Sequence, residues 1–248
     1  MAKASALVIT KNVERYIAGC LQGLTWADEI VVLDSMSTDR TVEIAREFTA
    51  KVFQHEFVSF PRTRNAALDL AQNEWVFFLD ADEIATPELA TEIREVLSAE
   101  SIAHVGYWIP RKNLILGKWM QHTGWYPDRQ LRLLRRDCVR YDEQFSPHEV
   151  ASLQGSSGYL TNHIIHHNYE TLGQLVYKQN RYSSQEALFL HQRGTRAKPQ
   201  NFILQPLREF NRRYFVLQGY RDGLHGLLLS LFMAFYNFVM YVKLARLK

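Results

Sequence analysis

The sequence has few cysteines and no export signal of the usual kind. Cys20 and Cys138 are far apart and lack the close spacing of metal ligands, which excludes a cysteine-based metal site. We therefore expect two ordinary thiols in a reducing compartment rather than a disulfide. The N-terminal segment MAKASALVITKN contains no long apolar stretch typical of a signal peptide, so we expect a cytoplasmic protein.

The sequence also lacks a large excess of charge of either sign. Its 248 residues carry a formal net charge of only +3, which argues against binding nucleic acid through bulk charge. Hydrophobic residues make up 47% of the chain, which is too many for a disordered protein and enough for a large core. The length fits one large domain, or one domain with an appendage.

Short apolar runs alternate with helical patterns in the N-terminal part of the chain. Runs rich in β-forming residues predict strands at 4–10, 29–34, 51–54 and 74–80, and apolar spacing predicts helices at 12–24, 37–50, 61–72 and 86–99. We expect Asn12, one residue of 37–39, and Thr86 to be helix N-caps. This order predicts an α/β fold with a mainly parallel sheet flanked by helices on both faces.

Acidic residues follow two of the predicted strands. In EWVFFLDADE an apolar strand ends in Asp80, Asp82 and Glu83, and Asp34 ends the second strand. Ligands of such sheets collect at the carboxyl ends of the strands, and clustered acids repel one another unless positive charge is nearby. If the chain stays extended, Asp80 and Asp82 point the same way and suit Mg²⁺ with a phosphorylated ligand. For Asp34, capping of the next helix is an equal alternative.

Several segments, in order along nearly the whole chain, resemble glycosyltransferase family 2, whose members have the GT-A fold. More narrowly, the chain resembles the bacterial lipopolysaccharide-core β-1,4-glucosyltransferase-like group. The segments are ITKNVERYI, WADEIVVLDSMSTDRTVEIA, RTRNAALDLA, FLDADEIATPEL, GKWMQHTGWYPDRQLRLLRR, PHEV, HHNYETL, NRYSSQEA and RRYFVLQGYRDGLHGLLLSLFMAFY. One departure is Met36, where the family usually has glycine, a residue that permits backbone conformations disfavoured for methionine.

The resemblance implies an inverting transfer of a sugar from a nucleotide-diphosphate sugar, such as a UDP-hexose, with Mg²⁺ or Mn²⁺ as cofactor. It assigns Asp80 and Asp82 to the metal, and His166 to the metal or the diphosphate. For Arg64, a solvated charge on the third helix is the alternative. The residues that the resemblance places at the nucleotide sugar are Thr10, Asn12, Glu14, Asp34, Arg64 and Asp80.

An inverting transfer needs a base, because a free alcohol is a poor nucleophile at neutral pH. The resemblance places this base in the second half of the chain. We favour Glu149 in FSPHEV, and Asp128 in GWYPDRQ is the second candidate. His148, next to Glu149, is a candidate for the base itself, for a metal ligand, or for a group that orients the base.

We expect a GT-A catalytic domain at 1–170, with a nucleotide-sugar half at 1–100 and an acceptor half at 101–170, followed by a helical region at 171–248. This last region contains the uncharged run GLLLSLFMAFYNFVMYV. The run fits a membrane span, a helix lying in the lipid headgroups, or a helix buried against the catalytic domain or a partner subunit in a homo-oligomer.

The stretch before this run is basic with interleaved aromatic residues. Beside an apolar helix it favours anionic lipid over nucleic acid. We therefore expect a peripheral contact with the inner face of the cell membrane, and a cell-envelope glycan or lipid-linked acceptor.

Two other functions stay open at this stage. A nucleotidyltransferase that makes the activated sugar uses similar carboxylates and a similar sheet. Such an enzyme usually has a glycine-rich loop after its first strand, and ITKNVERYI contains no glycine. A non-catalytic relative that binds a sugar nucleotide at the membrane is the other alternative.

Overall fold

The protein is described from a computed structural model, which covers residues 1–143 and 151–247. Its residues cluster into two compact units. The first unit comprises Met1–Arg111 and Arg129–His166, and the second comprises Lys112–Asp128 and His167–Lys248. The domain boundary expected near residue 170 stays a prediction.

The strands and helices of the described residues are numbered in chain order. The strands are β1 (Ala4–Thr10), β2 (Glu29–Asp34), β3 (Val52–Gln54), β4 (Trp75–Asp80), β5 (Glu83–Ala85), β6 (Gly106–Ile115), β7 (Lys118–Trp119), β8 (Asp128–Arg135), β9 (Val139–Tyr141), β10 (Ala151–Leu153), β11 (Ser157–Tyr159) and β12 (Ile164–Tyr169). The α-helices are α1 (Ile17–Gln22), α2 (Thr41–Phe48), α3 (Phe60–Leu70), α4 (Pro87–Ser98), α5 (Leu172–Gln192), α6 (Asn201–Asn211) and α7 (Gly223–Arg246).

The main sheet has the strand order β3-β2-β1-β4-β8-β6-β12-β5, and β7 and β11 also pair with β6. Strands β1 to β4 pair in parallel, which confirms the parallel array predicted from the sequence. Strand β8 pairs antiparallel with β4, and β12 pairs antiparallel with β5. The parallel half therefore brings the carboxyl ends of β1, β2 and β4 to one edge.

The uniform apolarity of β4 follows from burial on both faces of the sheet. Trp75, Phe77 and Leu79 belong to one hydrophobic cluster, and Val76 and Phe78 belong to a second cluster on the other face. Because side chains alternate along a strand, a strand covered by helices on both sides needs apolar residues at every position.

The predicted helix starts are confirmed only in part. Thr86 caps α4 as expected, through a bond from the backbone of the first turn. The cap predicted at Asn12 is wrong, because α1 begins only at Ile17. None of residues 37–39 is the N-cap of α2, a position that Arg40 occupies. The sequence pattern predicts where these helices lie. The polar residues before α1 and α2 form hydrogen bonds within the preceding loops instead of capping the helices.

The second unit contains the C-terminal helices. Helix α6 continues into a π-helical turn at Arg212–Val216 and returns through a short 3₁₀ turn, Gly219–Asp222, into α7. Helices α6 and α7 pack together, with the rings of Phe202 and Phe238 edge to face at 6.1 Å. Within the part of the chain that the structure describes, Gly219–Arg246 is the one helical stretch with the length and apolar composition of a membrane crossing.

The turn after β2 contains a residue in a conformation that its side chain disfavours. Met36 has φ of 59°, in the left-handed region, and its side chain is 51% exposed. For a residue with a Cβ atom this conformation costs about 1–2 kcal/mol. Glycine would adopt it without this cost, which explains why this position suits glycine.

We expect Met36→Gly to leave the fold intact and to raise the free energy of unfolding by up to about 1 kcal/mol, because relief of strain exceeds the added entropy of the unfolded chain. Urea unfolding followed by circular dichroism measures this difference. The control is Glu56→Gly in the exposed loop between β3 and α3, where φ is not positive. There we expect a loss of about 0.5–1 kcal/mol. A comparable loss in Met36→Gly would contradict the assignment of strain.

Candidate functional site

The carboxylate of Asp34, at the end of β2, is buried and fixes the turn that follows. Its Oδ2 accepts a hydrogen bond from the backbone N–H of Ser37 at 2.8 Å, and its Oδ1 accepts one from the Ser37 hydroxyl at 2.5 Å. Asp34 therefore holds its own loop in place and does not cap α2. Its predicted contact with the nucleotide stays a prediction.

Asn12 and Glu14, in the loop after β1, hold the same turn from the other side. The side-chain oxygen of Asn12 accepts from the N–H of Thr38 at 2.8 Å, and a carboxylate oxygen of Glu14 accepts from the N–H of Arg40 at 3.0 Å. The Asn12 N–H in turn donates to the hydroxyl of Ser37 at 2.8 Å. These bonds join the loops at the carboxyl ends of β1 and β2 into one rigid edge.

Two side-chain hydroxyls at this edge of the sheet are buried without a hydrogen-bond partner in the part of the chain that the structure describes. Within the described residues, Thr10 Oγ1 and Ser35 Oγ have no hydrogen-bond partner. Thr10 lies opposite Asp34 in the register of β1 and β2, and Ser35 follows directly. A buried hydroxyl without a partner costs free energy, so this edge suits a ligand that offers polar atoms.

The acids that end β4 are matched by arginines rather than left to repel one another. Two nitrogens of Arg132 donate to the carboxylate of Asp80, at 2.5 and 3.2 Å, and Arg64 donates to it at 3.1 Å. Burial opposes ionisation of Asp80, but the charges of Arg132 and Arg64 outweigh it and hold the pKa of Asp80 well below its usual range.

Glu83, which the sequence reasoning did not assign to the site, is completely buried beside Asp80. It accepts hydrogen bonds from Arg132 and from Arg111, each at 3.0 Å, and from the backbone N–H of Asp80 at 3.0 Å. Burial disfavours the charge of Arg132, but Asp80 and Glu83 together raise the pKa of Arg132 well above its usual value. Arg111 and Arg132 were missed because nothing in their sequence context separates them from neighbouring surface arginines.

Arg64 lies inside the protein, so the alternative of a solvated charge on α3 is wrong. Its side chain is only 7% exposed, and its guanidinium lies over the ring of Phe78 at 5.1 Å and near that of Tyr141 at 5.6 Å. With the bond to Asp80, these contacts fix the guanidinium at the end of β4.

Asp82 does not continue the direction of Asp80, which corrects the expectation of an extended strand. Strand β4 ends at Asp80, and Ala81 and Asp82 form a turn before β5. The antiparallel pairing of β12 with β5 places His166 opposite Glu83. His166 Nε2 consequently lies 3.6 Å from Asp82 Oδ2. The structure thus brings together Asp82 and His166, two of the residues assigned to the metal. The third, Asp80, is bonded to arginines instead.

The residues around Asp82 fit an open metal site. Among the described residues, no group of three or more His, Cys, Asp or Glu side chains is arranged to enclose a metal ion. Asp82 and His166 supply a carboxylate and an imidazole next to each other. Mg²⁺ is typically bound through one or two carboxylates, with water and substrate phosphate in its other positions, so a closed protein cage is not required.

Of the three candidate bases, the structure describes only Asp128. Glu149 and His148 lie outside the described residues. Asp128 belongs to the second unit, where its Oδ2 accepts a hydrogen bond from the side-chain amide of Asn113 at 3.1 Å. The identity of the base stays a prediction.

We expect Arg132→Met to lower the free energy of unfolding at pH 7 by about 3 kcal/mol, because removal of one partner leaves buried charge poorly compensated. The pKa of Asp80 is lowered in the folded state, so its contribution is complete above the unfolded value of about 3.9 and is lost as the pH falls. The difference between variant and parent should therefore shrink in acid. Denaturant unfolding at several pH values measures it.

Arg62→Met is the matched control, because Arg62 and Glu143 form an exposed pair at 3.0 Å. Such a pair contributes at most about 1 kcal/mol. Equal losses in the two variants, or a loss in Arg132→Met that does not change with pH, would contradict the charge balance described for Asp80.

Comparison with known proteins identifies the family. The model of glycosyl transferase family 2 matches residues 5–155. The lipopolysaccharide core biosynthesis glycosyltransferase LpsC of Rhizobium meliloti is 29% identical over 246 residues, which cover 97% of this chain and 91% of LpsC.

Two solved structures resemble the whole chain. The mannosyltransferase PcManGT from Pyrobaculum calidifontis, in complex with GDP-Man and Mn²⁺, has a TM-score of 0.59 at 15% identity and covers 99% of this chain and 87% of its own. Residues 1–349 of Staphylococcus aureus TarS, in complex with UDP-GlcNAc, have a TM-score of 0.51 at 18% identity. The match covers 97% of this chain and 81% of the TarS chain. At these identities the likeness shows the fold and confirms the predicted GT-A architecture. Because the family model matches more than half of its length, this chain belongs to glycosyl transferase family 2 and is a glycosyltransferase.

Proposed function

We propose that this glycosyltransferase moves a sugar from a nucleoside-diphosphate sugar, a UDP-hexose in the first instance, to a cell-envelope glycan or lipid-linked acceptor. The transfer proceeds with inversion and uses Mg²⁺ or Mn²⁺. The observation that carries the proposal is the Asp82–His166 pair, which lies beside an Asp80 carboxylate already neutralised by Arg132 and Arg64.

The names of the relatives support a nucleotide-sugar donor and a role in the synthesis of a cell-envelope glycan. LpsC is named for lipopolysaccharide core biosynthesis, the TarS structure contains UDP-GlcNAc, and PcManGT contains GDP-Man with Mn²⁺. In the present chain, the edge at the carboxyl ends of β1 and β2 contains the hydroxyls of Thr10 and Ser35, which have no partner among the described residues.

The charge balance at the end of β4 supports a role for a divalent cation. At the end of β4, the acids Asp80, Asp82 and Glu83 are balanced by the guanidinium groups of Arg64, Arg111 and Arg132. Among the described residues, these six side chains therefore offer no net positive charge to the diphosphate of the donor. A bound Mg²⁺ or Mn²⁺ would supply the missing charge and neutralise the negative charge that develops on the leaving diphosphate.

The residues of the chain have separate tasks in this scheme. Asp82 and His166 hold the metal, and Arg132 keeps Asp80 ionised and fixed beside them. Asp34 orients the loop that faces the nucleoside. Glu149, or Asp128 in its place, removes the proton of the acceptor hydroxyl, which attacks the anomeric carbon from the face opposite the diphosphate.

We expect Asp82→Ala to weaken Mn²⁺-dependent binding of UDP by about 100-fold and to abolish turnover, since a metal ligand is lost. Calorimetric titration with UDP, in Mn²⁺ and then in EDTA, measures the binding, and release of UDP from a panel of UDP-sugars measures turnover. The control is Asp69→Ala, because Asp69 of α3 forms an exposed pair with Arg140 of β9. Unchanged metal-dependent binding in Asp82→Ala would contradict the metal assignment.

We expect Glu149→Gln to lower kcat by about 10²–10⁴-fold with little change in donor affinity, since a general base acts in the transition state and does not hold the donor. Asp128→Asn, measured in parallel, serves as the comparison. Full activity in Glu149→Gln combined with a loss in Asp128→Asn would assign the base to Asp128.

A further inference from the structure

Helix α6 has several large apolar side chains exposed to solvent, while Phe202 packs against Phe238 of α7. The side chains of Ile203 and Leu207 are 66% and 60% exposed, although both are large and apolar. The residues between them that face inwards include Gln205 and Pro206. The same exposed stripe continues along α6 and the π-helical turn that follows it, through Leu204, Phe215 and Val216. A helix packed on a soluble core normally has the opposite orientation.

Helix α7, which packs on α6, has an exposed apolar stripe of its own. Its residues follow the spacing of one helix face, and the stripe is about 21 Å long at about 1.5 Å per residue. They are Leu224, Leu228, Leu231, Phe235 and Phe238. The opposite side of α7 is covered within the unit, where the Tyr236 hydroxyl donates to the backbone oxygen of Val176 and Lys243 donates to Asn180 of α5. We call the two stripes together the α6–α7 apolar surface.

Positive charge adjoins this surface. Arg196, Lys198 and Arg208 line a shallow pocket at the start of α6, and Leu204 of the apolar stripe lines the same pocket. Between residues 193 and 247 the chain has nine Arg or Lys residues and only two acids. Both acids are engaged inside the unit, because Glu209 accepts from Arg213 and Asp222 bonds to His122.

We propose that the α6–α7 apolar surface docks on an anionic lipid bilayer, with α6 and α7 lying in the headgroup layer and the basic pocket binding lipid phosphate. Apolar side chains beside lysine and arginine are the combination that binds such an interface. The covered side of α7 argues against a lone span, because insertion across the bilayer would separate α7 from α5.

The test uses the full chain and preformed vesicles, without donor or acceptor, so that its outcome is independent of the proposed reaction. We expect strong co-sedimentation with vesicles that contain phosphatidylglycerol, at least tenfold weaker binding to phosphatidylcholine alone, and a marked decrease with added salt. Leu207→Ser should weaken binding by about tenfold. Replacing Arg196 and Lys198 with glutamine should cost about fivefold for each charge.

The matched control is Val58→Ser in the first unit, at a position that is 58% exposed and thus comparable with Leu207. This variant should bind vesicles like the parent chain. Circular dichroism confirms that each variant is folded. Equal binding of Leu207→Ser and Val58→Ser would overturn the proposal. So would an absence of vesicle binding, or light scattering that shows a dimer which Leu207→Ser dissociates, since the surface would then be a subunit contact.

Discussion

The guanidinium of Arg132 lies between two carboxylates, and the arrangement of the site depends on it. Asp80 ends a strand that is buried on both faces, and Glu83 is completely buried. Glu83 cannot be accommodated there as an uncompensated charge, because ions lose their hydration inside a protein, whereas the Asp80 carboxylate keeps part of its exposure to solvent. Arg132 bonds to both, and Arg64 and Arg111 each complete the set for one of them. The end of β4 is therefore a fixed, charge-balanced platform before any ligand binds.

Asp80 and Asp82 have different partners in the structure, although their spacing in the sequence suggests that both bind the same metal ion. Asp80 is held by arginines, whereas Asp82 stands in the turn beside His166. The charge on Asp80 orients the arginines at the strand end, and the Asp82 carboxylate beside His166 is an oxygen ligand of the kind that Mg²⁺ prefers. Preorganisation of this sort reduces the rearrangement needed when charge develops on a leaving diphosphate. The hydrogen bonds around Asp34 fix the loops after β1 and β2 in the same way.

The sequence was sufficient to predict the order of strands and helices in the first hundred residues, and the edge of the sheet at which we expect the ligand. Apolar runs identify β1, β2 and β4 because full burial imposes apolarity at every position, and the acids that end β2 and β4 predict the edge at which a ligand binds. The partners of those acids were not predictable in the same way. Arg132 comes from a distant strand that also carries other arginines, and only the antiparallel pairing of β8 with β4 brings it to Asp80. The turn at Asp82 was missed because strand alternation was assumed to continue past Asp80.

The sequence predicts that the C-terminal region is helical, but it does not predict which side of each helix faces the rest of the unit. Helical spacing reveals that α6 has an apolar side, but the pattern is the same whether that side meets the core or the surroundings. In the structure the inward positions are occupied by residues such as Gln205 and Glu209, and Glu209 is needed there to pair with Arg213. Once Glu209 faces inwards, Ile203 and Leu207 must face outwards, since they lie on the opposite side of the helix. The buried ion pair thus fixes which side of α6 is left to meet an apolar environment.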